Sequence, residues 1–183
     1  KPDKWKEYWL DDSTKYVAFI GKDNIVFHCI VFPAMLMAWN AASSEKYILP
    51  ENVPANEFLN FEGQKFSKRR GWGIDVDEFL EEFPADALRY TLTMNLPESR
   101  DADFYWKDFQ ARNNNELADI LGNFVNRTMT FAHRNFDGKV PLATTEHSKL
   151  DNELVEQLQL SGTKAGNSIE NYRFRDATLE VMN

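Results

Sequence analysis

The strongest chemical signal in this sequence is a short basic loop, KFSKRRG at residues 65–71, in a chain that is acidic overall. Glycines stand on both sides of it, at Gly63, Gly71 and Gly73. Lysine carries a compact charge on a flexible stem, so such a loop can close over a phosphate chain and stabilise a leaving pyrophosphate. One preorganised group of this kind lowers a reaction barrier by about 3 kcal/mol. The alternative interpretation is a solvated surface turn.

A second signal is Gly21-Lys22-Asp23-Asn24, which is followed by Phe27-His28. Gly21 lets a ligand approach the backbone, and Asp23 at a strand end can accept hydrogen bonds from ribose hydroxyls. His28 lies one helical turn past Asn24 and could face the same ligand. The alternatives are a capped turn between a strand and a helix, and a histidine satisfied in the core. A metal site at His28-Cys29 is not expected, because no second ligand cluster completes a coordination shell.

A third signal is the pair Asn123 and Arg127, spaced four residues apart on one face of a predicted helix. With Arg134 further along, these side chains could hydrogen-bond to unpaired bases and stack on them. The alternative is a polar helix face with an internal ion pair, for instance one that involves Asp119.

The elements that must position these residues begin with an α/β arrangement. Residues 15–20 are rich in β-branched and aromatic side chains and predict a strand. Residues 21–24 interrupt it, and residues 25–42 have the length and apolar spacing of a helix that Pro33 should kink or restart. Open parallel sheets bind ligands at the carboxyl end of a strand, which is where this order of elements places Gly21 and Asp23.

Helices dominate the rest of the chain. We predict a strand over residues 57–61, a turn at 62–64, a short helix over 75–83 and another from Pro84 to Met94. Beyond a boundary near 97–99, we expect helices over 108–134, over 148–165 and from about Arg175, with Asp137-Gly138 and Pro141 ending the first. Antiparallel helices with short links predict a bundle. The fold class is therefore α/β followed by an α-helical bundle, and helix-dominated overall.

Composition excludes several classes of protein. The 183 residues include 21 basic and 29 acidic side chains, a net charge of −8, so nucleic acid would have to bind through local basic clusters. The most apolar stretch, residues 25–39, is interrupted by His28 and Pro33 and is shorter than the ~20 residues of a membrane span. Cys29 is the single cysteine, which favours a reducing compartment. Residues 1–12 have no apolar core of a signal peptide, so we expect a cytoplasmic protein without membrane contact.

Both ends suggest a piece of a longer protein. The first residue is Lys1 rather than methionine, and residues 178–183 stop in the middle of a helical pattern without a cap or a breaker. A piece of this kind can carry part of an active site and have no activity of its own.

The order of the signals resembles the methionyl-tRNA synthetase family of the class I aminoacyl-tRNA synthetases. The basic loop is similar to the KMSKS signature, with Phe66 in place of methionine and Arg69 in place of the last serine. The stretch FIGKDNIVFHCIVFPAML is similar to the methionine enzymes throughout. Residues 78–90 resemble the stem-contact region, and DFQARNNNELADILGNFVNRTMTF resembles the first helix of the anticodon-binding bundle. The resemblance is collinear over residues 5–183.

This resemblance implies an architecture in three parts. Residues 1–61 would be the C-terminal half of a Rossmann-type nucleotide-binding catalytic domain. Residues 62–97 would hold the basic loop and the stem-contact segment, and residues 98–183 would begin the anticodon-binding bundle. The family's HIGH-type signature and its zinc-binding connective insertion are absent from this sequence. We therefore expect no metal site in the chain itself, zinc in the parent's insertion, and no aminoacylation by the isolated chain.

The resemblance also implies roles for particular residues. The positions that match ATP contacts are Gly21, Asp23, Leu59, Lys65, Ser67 and Lys68. Of these, Lys65 and Lys68 would be catalytic, stabilising the phosphates of an ATP that carries its own Mg²⁺. The positions that match the methionine pocket are Asn24 and His28. The positions that match contacts to the CAU anticodon are Asn123 and Arg127.

The parent would activate methionine with ATP to methionyl-adenylate, release pyrophosphate and transfer methionine to tRNA(Met). A mostly apolar pocket suits the polarizable thioether of methionine. The alternatives are another class I aminoacyl-tRNA synthetase, or a non-catalytic module in which the basic loop and the helix face hold tRNA. Members of the family include dimers built through C-terminal appendages, and a homodimeric parent would use an appendage outside this sequence.

Overall fold

The computed structural model of the chain describes residues 3–142 and 147–183. It divides into two compact units. Unit 1 comprises the residues up to Phe58 together with Pro97–Ala102, and unit 2 comprises Leu59–Leu96 and Asp103–Asn183. This division follows compactness. The division into residues 1–61, 62–97 and 98–183 follows function and stays a prediction.

Unit 1 contains a short helix, α1 (Lys6–Trp9), and two small parallel sheets. Strand β1 (Tyr16–Val17) pairs with β3 (Pro50–Asn52), and β2 (Ile20–Gly21) pairs with β4 (Ala55–Asn56). The prediction of one strand over 15–20 was therefore wrong in detail, because two short strands stand there. Pro54 lies between β3 and β4 and has no N–H to donate to a neighbouring strand. Its carbonyl oxygen still accepts a hydrogen bond from the Ile20 N–H at 3.1 Å.

A continuous helical stretch follows the end of β2. It begins as a 3₁₀ turn (Lys22–Asn24), passes through a π-helical segment (Phe27–Val31) and continues as α2 (Phe32–Ala42) with Pro33 in its first turn. Proline has no N–H to donate, and its ring crowds the carbonyl four residues before it. The π segment accommodates this crowding, since the Phe32 N–H donates to the Phe27 oxygen five residues back. The predicted restart at Pro33 is confirmed as a change of helix type.

Unit 2 opens with a three-stranded sheet in the order β6-β5-β7. Its strands are β5 (Leu59–Phe61), the antiparallel β6 (Gln64–Lys65) and β7 (Ala102–Phe104), whose first residue, Ala102, is counted with unit 1. Glu62 and Gly63 connect β5 to β6 with φ of 48° and 74°, the left-handed pair that a two-residue hairpin turn requires. The turn predicted at 62–64 is thus confirmed, whereas the strand predicted over 57–61 is shorter than expected.

Two short helices then follow, with the boundaries that their local signals predict. In α3 (Val76–Glu82), the Asp75 carboxylate caps the first turn by accepting from the N–H groups of Asp77 and Glu78 at 2.9 and 3.3 Å. Pro84 precedes α4 (Ala85–Met94), and its fixed φ separates the two helices.

The predicted helix over 108–134 is one continuous helical stretch that changes type twice. It consists of α5 (Trp106–Ala111), a π-helical segment (Arg112–Gly122) and α6 (Asn123–Phe136). Gly122 ends the π segment, where an added Cβ would lie 3.1 Å from the Leu117 oxygen. Asp137 and Gly138 end α6 in the left-handed conformation, with φ of 51° and 72°, as the Asp-Gly pair predicts.

Two further helices, α7 (Lys149–Glu170) and α8 (Phe174–Met182), pack against each other. Ser148 and Asp151 form a capping box at the start of α7. The end predicted at 165 was wrong, because Ala165 is buried and the helix continues past it. The fold is α/β followed by helices and is helix-dominated, as predicted. Within the described ranges, no helix combines the length and the apolar character that crossing a bilayer would need.

An aromatic core holds unit 2 together. Its buried members are Phe61, Phe79, Ala87, Phe104 and Phe109. The Phe79 ring lies 5.3 Å from that of Phe109, edge to face, and such pairs add about 0.5–1.5 kcal/mol beyond the area that they bury. The core joins the sheet to α3, α4 and α5, and so fixes the strands from which the basic loop extends.

Candidate functional site

The basic loop is closed at its base by two backbone hydrogen bonds. The Ser67 N–H donates to the Trp72 oxygen at 2.8 Å, and the Trp72 N–H donates to the Ser67 oxygen at 3.0 Å. Between them, Lys68–Arg70 form a single 3₁₀ turn that ends at Gly71, whose φ of 59° favours glycine. Lys65 lies at the end of β6, opposite Asn60. The loop is therefore a tight turn on a strand-like base.

Aromatic side chains attach this base to the core of unit 2. The Phe66 ring stacks on Phe61 with 5.8 Å between centroids, and the Trp72 Nε1 donates to the Phe61 oxygen at 3.0 Å. A Cβ at Gly73 would lie 2.9 Å from the Phe66 ring, so this glycine makes room for the ring. Phe66, the departure from methionine in the signature, packs as part of the loop's support.

The tip of the loop carries three exposed cations: Lys68, Arg69 and Arg70. In the part of the chain that the structure describes, no carboxylate lies within salt-bridge distance of any of them. Clustered cations without a nearby carboxylate produce a local positive potential that attracts anions. This arrangement suits a polyphosphate, and it contrasts with the net negative charge of the chain.

In unit 1, Gly21 and Asp23 lie at the carboxyl end of β2, where the sequence places them. A Cβ at Gly21 would lie 2.7 Å from the Asp23 Oδ1, so the glycine leaves space for this carboxylate. The Asn24 Nδ2 donates to the same oxygen at 3.4 Å. Asp23 and Asn24 are exposed. The space needed by the Asp23 side chain therefore explains a glycine at position 21 without any ligand.

His28 is half-buried one turn further along the same helical stretch. Its Nδ1 lies 3.2 Å from the Asn24 backbone oxygen. A carbonyl oxygen can only accept, so Nδ1 carries the proton, and Nε2 is the ring's remaining hydrogen-bonding atom. The structure therefore brings Asn24 and His28 together, while their role in a methionine pocket stays a prediction.

Lys22 is a residue of this region that the sequence analysis did not single out as a site residue. Its Nζ contacts the carboxylates of Glu57 and of Asp101, the latter at 2.8 Å, and lies 4.5 Å from the centre of the Phe58 ring. Hydrogen bonds to Asp101 and Glu57 raise the pKa of the Lys22 ammonium. The hydrogen bonds from Lys22 and from the Phe58 N–H lower the pKa of the Asp101 carboxyl. The partners are 35 and 79 positions away in sequence, so no local pattern indicates them.

Asn123 and Arg127 occupy the first and fifth positions of α6, and both are exposed. The Asn123 Nδ2 donates to the Asp119 backbone oxygen at 3.0 Å. Across residues 3–142 and 147–183, Arg127 has no carboxylate within salt-bridge distance, so the alternative of an internal ion pair is not observed in this range. Their contact with an anticodon stays a prediction.

The predicted site residues are divided between the two units. Gly21, Asp23, Asn24 and His28 belong to unit 1, whereas Leu59, Lys65, Ser67, Lys68, Asn123 and Arg127 belong to unit 2. Leu59 is half-buried in β5 against the aromatic core. Among the described residues, no three His, Cys, Asp or Glu side chains are grouped so that they could hold a metal ion.

Comparisons with curated proteins agree on one family. The family model for class I tRNA synthetases (M) matches residues 1–129. The methionine–tRNA ligase of Flavobacterium johnsoniae is 53% identical over 181 residues, which are 98% of this chain and 25% of that protein. The methionine–tRNA ligase of Phocaeicola vulgatus is 51% identical over 184 residues, 100% of this chain and 26% of that protein. The chain thus spans about a quarter of the length of these relatives.

Solved structures give the same result at the level of the fold. Mycobacterium tuberculosis methionyl-tRNA synthetase in complex with methionyl-adenylate matches with a TM-score of 0.82 at 27% identity, over 93% of this chain and 32% of that one. A second structure of that enzyme bound by methionyl-adenylate matches with a TM-score of 0.81 at 26% identity, with the same coverage. Since the family model covers more than half of its residues, the chain belongs to the methionine-type class I tRNA synthetases.

Proposed function

We propose that this chain is part of a longer methionine–tRNA ligase. That enzyme activates methionine with ATP to methionyl-adenylate, releases pyrophosphate and transfers methionine to tRNA(Met). The observation that carries the proposal is the basic loop. Its base is attached to the aromatic core, and the cations at its tip have no carboxylate within salt-bridge distance among the residues that the structure describes. A rigid support with free charge at its end suits catalysis by charge stabilisation, which needs groups that are positioned before the reaction.

In this proposal, Lys68 neutralises charge that develops on the departing pyrophosphate, and Lys65 and Ser67 contact the phosphates. Gly21 and Asp23 bind the adenosine part from the end of β2. ATP brings its own Mg²⁺. Displacement at phosphorus depends on position and charge more than on covalent chemistry by the protein.

The remaining contacts follow the same assignment. The Leu59 backbone lies on the strand before the basic loop and contacts adenine. Asn24 and His28 line the methionine pocket, where the His28 Nε2 offers one directional polar group in a largely apolar site. Asn123 and Arg127 present an amide and a planar guanidinium from one exposed face of α6, and these groups can hydrogen-bond to and stack on anticodon bases.

Further parts of the proposal concern the full-length protein. It is cytoplasmic, carries zinc in an insertion outside this chain, and forms a homodimer if it has a C-terminal appendage. Metal analysis and sedimentation of the full-length protein test the last two statements. Zinc bound to residues 1–183 alone would contradict the first of them.

The test of function is pyrophosphate exchange into ATP by the full-length protein, with methionine, leucine, valine or no amino acid. We expect exchange with methionine alone. Lys68→Ala should lower the exchange rate by about a hundredfold and change the methionine KM by less than about twofold, because the lost contact is made in the transition state. Lys149→Ala is the matched control, since this exposed lysine on α7 pairs with Glu153, and it should leave exchange unchanged.

Exchange measured together with tRNA charging separates the role of the basic loop from that of the helix face at Asn123 and Arg127. Arg127→Ala should leave exchange intact and lower tRNA charging, whereas Lys68→Ala lowers both. Exchange with another amino acid would overturn the methionine assignment. A folded full-length protein without any exchange would favour the non-catalytic tRNA-binding module, with Lys68 as a phosphate anchor.

A further inference from the structure

Lys22 lies between two residues proposed to bind adenosine, Gly21 and Asp23, yet its own side chain is occupied within the protein. Its ammonium contacts the Glu57 and Asp101 carboxylates, and Lys22 and Glu57 are both about one-third exposed, at 31% and 32%. The ammonium also lies over the Phe58 ring, 4.5 Å from its centre. Lys22 therefore differs from Lys68, whose ammonium has no such partners among the described residues.

The partners of Lys22 are themselves held by backbone hydrogen bonds. The Glu57 N–H donates to the Pro97 oxygen at 2.8 Å, and the Ala102 N–H donates to the Phe58 oxygen at 3.0 Å. The Phe58 N–H donates to the Asp101 Oδ1, also at 3.0 Å, so this carboxylate accepts from both Lys22 and the backbone. Residues 57–58 and 97–102 thus form a short ladder in unit 1, and Lys22 attaches the turn at Gly21–Asn24 to it.

We propose that Lys22 is a positioning residue for ATP, whose contacts with Glu57, Asp101 and Phe58 orient the Gly21–Asn24 turn so that the Asp23 carboxylate meets the ribose hydroxyls. The inference rests on the proposed function and deepens it. It assigns a role to Glu57 and Asp101 as well, because they fix the ammonium from two separate segments of the chain. The pairing of β2 with β4 and the His28 Nδ1, 3.2 Å from the Asn24 oxygen, also hold the backbone of the turn. Its polar side chains have few restraints, because Asp23 and Asn24 are exposed and the Asn24 amide reaches Asp23 at 3.4 Å.

The geometry favours positioning over direct phosphate binding. Two carboxylates around one ammonium leave a net negative cluster, which would repel a polyphosphate. An ammonium that served phosphate would instead need its charge uncompensated, as at the tip of the basic loop. A carboxylate misplaced by about 1 Å loses its hydrogen bonds to ribose, and displacements of this size can lower the catalytic rate by about 10²-fold.

The experiment compares variants of the full-length protein by calorimetric titration with ATP, 2′-deoxy-ATP and 3′-deoxy-ATP, and by methionine-dependent exchange. Lys22→Met keeps the length of the side chain and removes its charge. We expect it to raise the ATP Kd and the ATP KM about tenfold and to change the methionine KM less than about twofold. Its preference for ATP over the deoxy analogues should disappear, since the ribose contact through Asp23 is lost.

Two further variants and a control keep the test independent of folding. Lys22→Arg retains the charge and both carboxylate contacts, and it should restore the ATP Kd to within about threefold of the wild type. Asp101→Asn keeps an acceptor for the Phe58 N–H. It should raise the ATP Kd and reduce the preference for ATP over the deoxy analogues, both to a smaller extent than Lys22→Met. The control is Lys15→Met, which removes an exposed pair with Glu51 at 2.8 Å in the same unit and should change nothing.

The outcomes separate this inference from the proposed function. If wild-type exchange needs methionine but Lys22→Met keeps the ribose preference and the ATP Kd, positioning by Lys22 is wrong and the ligase function stands. If the wild type shows no exchange, the calorimetric Kd values for ATP and its deoxy analogues still decide the role of Lys22. A protein that neither exchanges nor binds ATP overturns both. A loss of affinity that is equal for ATP and for the deoxy analogues would indicate a general disturbance and would also contradict the inference.

Discussion

The two units hold their candidate ligand residues by different physical means. In unit 2, the basic loop extends from a base that packs on buried aromatic rings, with Phe66 and Trp72 in contact with Phe61. In unit 1, the turn at Gly21–Asn24 is attached by the ionic contacts of Lys22 to a backbone ladder. Among the buried apolar residues of the described ranges, Ala18 alone belongs to unit 1.

The difference separates two kinds of restraint. Burial of aromatic rings involves no charge that salt could screen or pH could titrate, and close packing resists displacement of the rings. Ion pairs at partly exposed positions are directional but weak, and they are screened by salt. Apolar side chains of the helical stretch in unit 1, such as Ile30 and Met35, are 63% and 59% exposed, so burial within this chain does little to fix that stretch.

The largest expected effect comes from removing a ring at the centre of the aromatic core. Phe79 is 3% exposed, and Phe79→Ala should lower the free energy of unfolding of unit 2 by about 3–5 kcal/mol, through lost burial and the cavity left behind. Urea unfolding followed by near-UV circular dichroism measures it. The neighbouring Leu80 is 44% exposed, and Leu80→Ala should cost less than about 1 kcal/mol.

Equal costs for these two variants would show that the aromatic rings do not form the principal support of unit 2. The contrast between the units would then fail. A Phe79→Ala variant that also lost the signal of unit 1 at the same urea concentration would indicate one cooperative transition in place of two.

Local rules of the chain account for most of what the sequence predicted well. The start of α3 after Asp75, the break at Pro84 and the end of α6 at Asp137-Gly138 each depend on neighbouring residues, and each lies within a residue or two of its predicted place. The two π-helical segments could not be predicted. Their hydrogen bonds join residues five apart instead of four, but their sequences have the same apolar spacing as an α-helix. The strand predicted at 57–61 was too long because Glu57 and Phe58 donate to Pro97 and Asp101 instead.

The candidate site shows the same limit. The local sequence was enough to identify the charges and glycines of the basic loop, and also the Gly21–Asn24 turn after a strand. The support of the loop by Phe61 and the attachment of Lys22 to Asp101 join residues far apart in sequence, and no periodicity encodes them. The sequence therefore predicted which groups could do chemistry better than it predicted what holds them in place.

An intermediate effect is expected at the glycine that ends the 3₁₀ turn of the basic loop. Gly71 has a φ of 59°, and an added Cβ would meet nothing within 4 Å. Gly71→Ala should therefore lower the free energy of unfolding by about 1 kcal/mol through backbone strain alone. The loop lies on the aromatic core, so the cost should appear in the unfolding of unit 2, measured as for Phe79.

The matched variant is Gly162→Ala, in the interior of α7, where an added Cβ also meets nothing within 4 Å. There the same substitution should raise the free energy of unfolding by about 0.5–1 kcal/mol, because alanine loses less backbone entropy in a helix. Opposite signs at the two glycines would show that the backbone of the loop is fixed in its left-handed conformation. A stabilising Gly71→Ala would mean that the loop adopts another conformation.

The smallest expected effect concerns a polar contact within unit 2, which tests whether such contacts there behave like those of unit 1. The Tyr90 hydroxyl donates to Glu116 at 2.6 Å, and Arg112 donates to the same carboxylate at 3.0 and 3.2 Å. Burial, together with the hydrogen bond to Glu116, raises the pKa of Tyr90 to about 12. An unfolded tyrosine has a pKa of about 10, so between pH 10 and 12 the folded chain keeps a proton that the unfolded chain loses.

The stability contributed by the Tyr90 proton is therefore complete below about pH 10 and is lost as the pH rises towards 12. Tyr90→Phe should lower the free energy of unfolding by about 0.5 kcal/mol at neutral pH, because one partly exposed hydrogen bond is lost and Arg112 still pairs with Glu116. The difference in unfolding free energy between this variant and the wild type should shrink between pH 10 and 12, as measured by urea unfolding at fixed ionic strength. Glu116→Gln keeps an acceptor and removes the charge, so its unfolding free energy should fall less steeply than that of the wild type over the same range. A difference that stays constant to pH 12 would show that the pKa of Tyr90 is the same in the folded and the unfolded chain. The polar contacts of Tyr90 in unit 2 would then be no better shielded from solvent than those of Lys22 in unit 1.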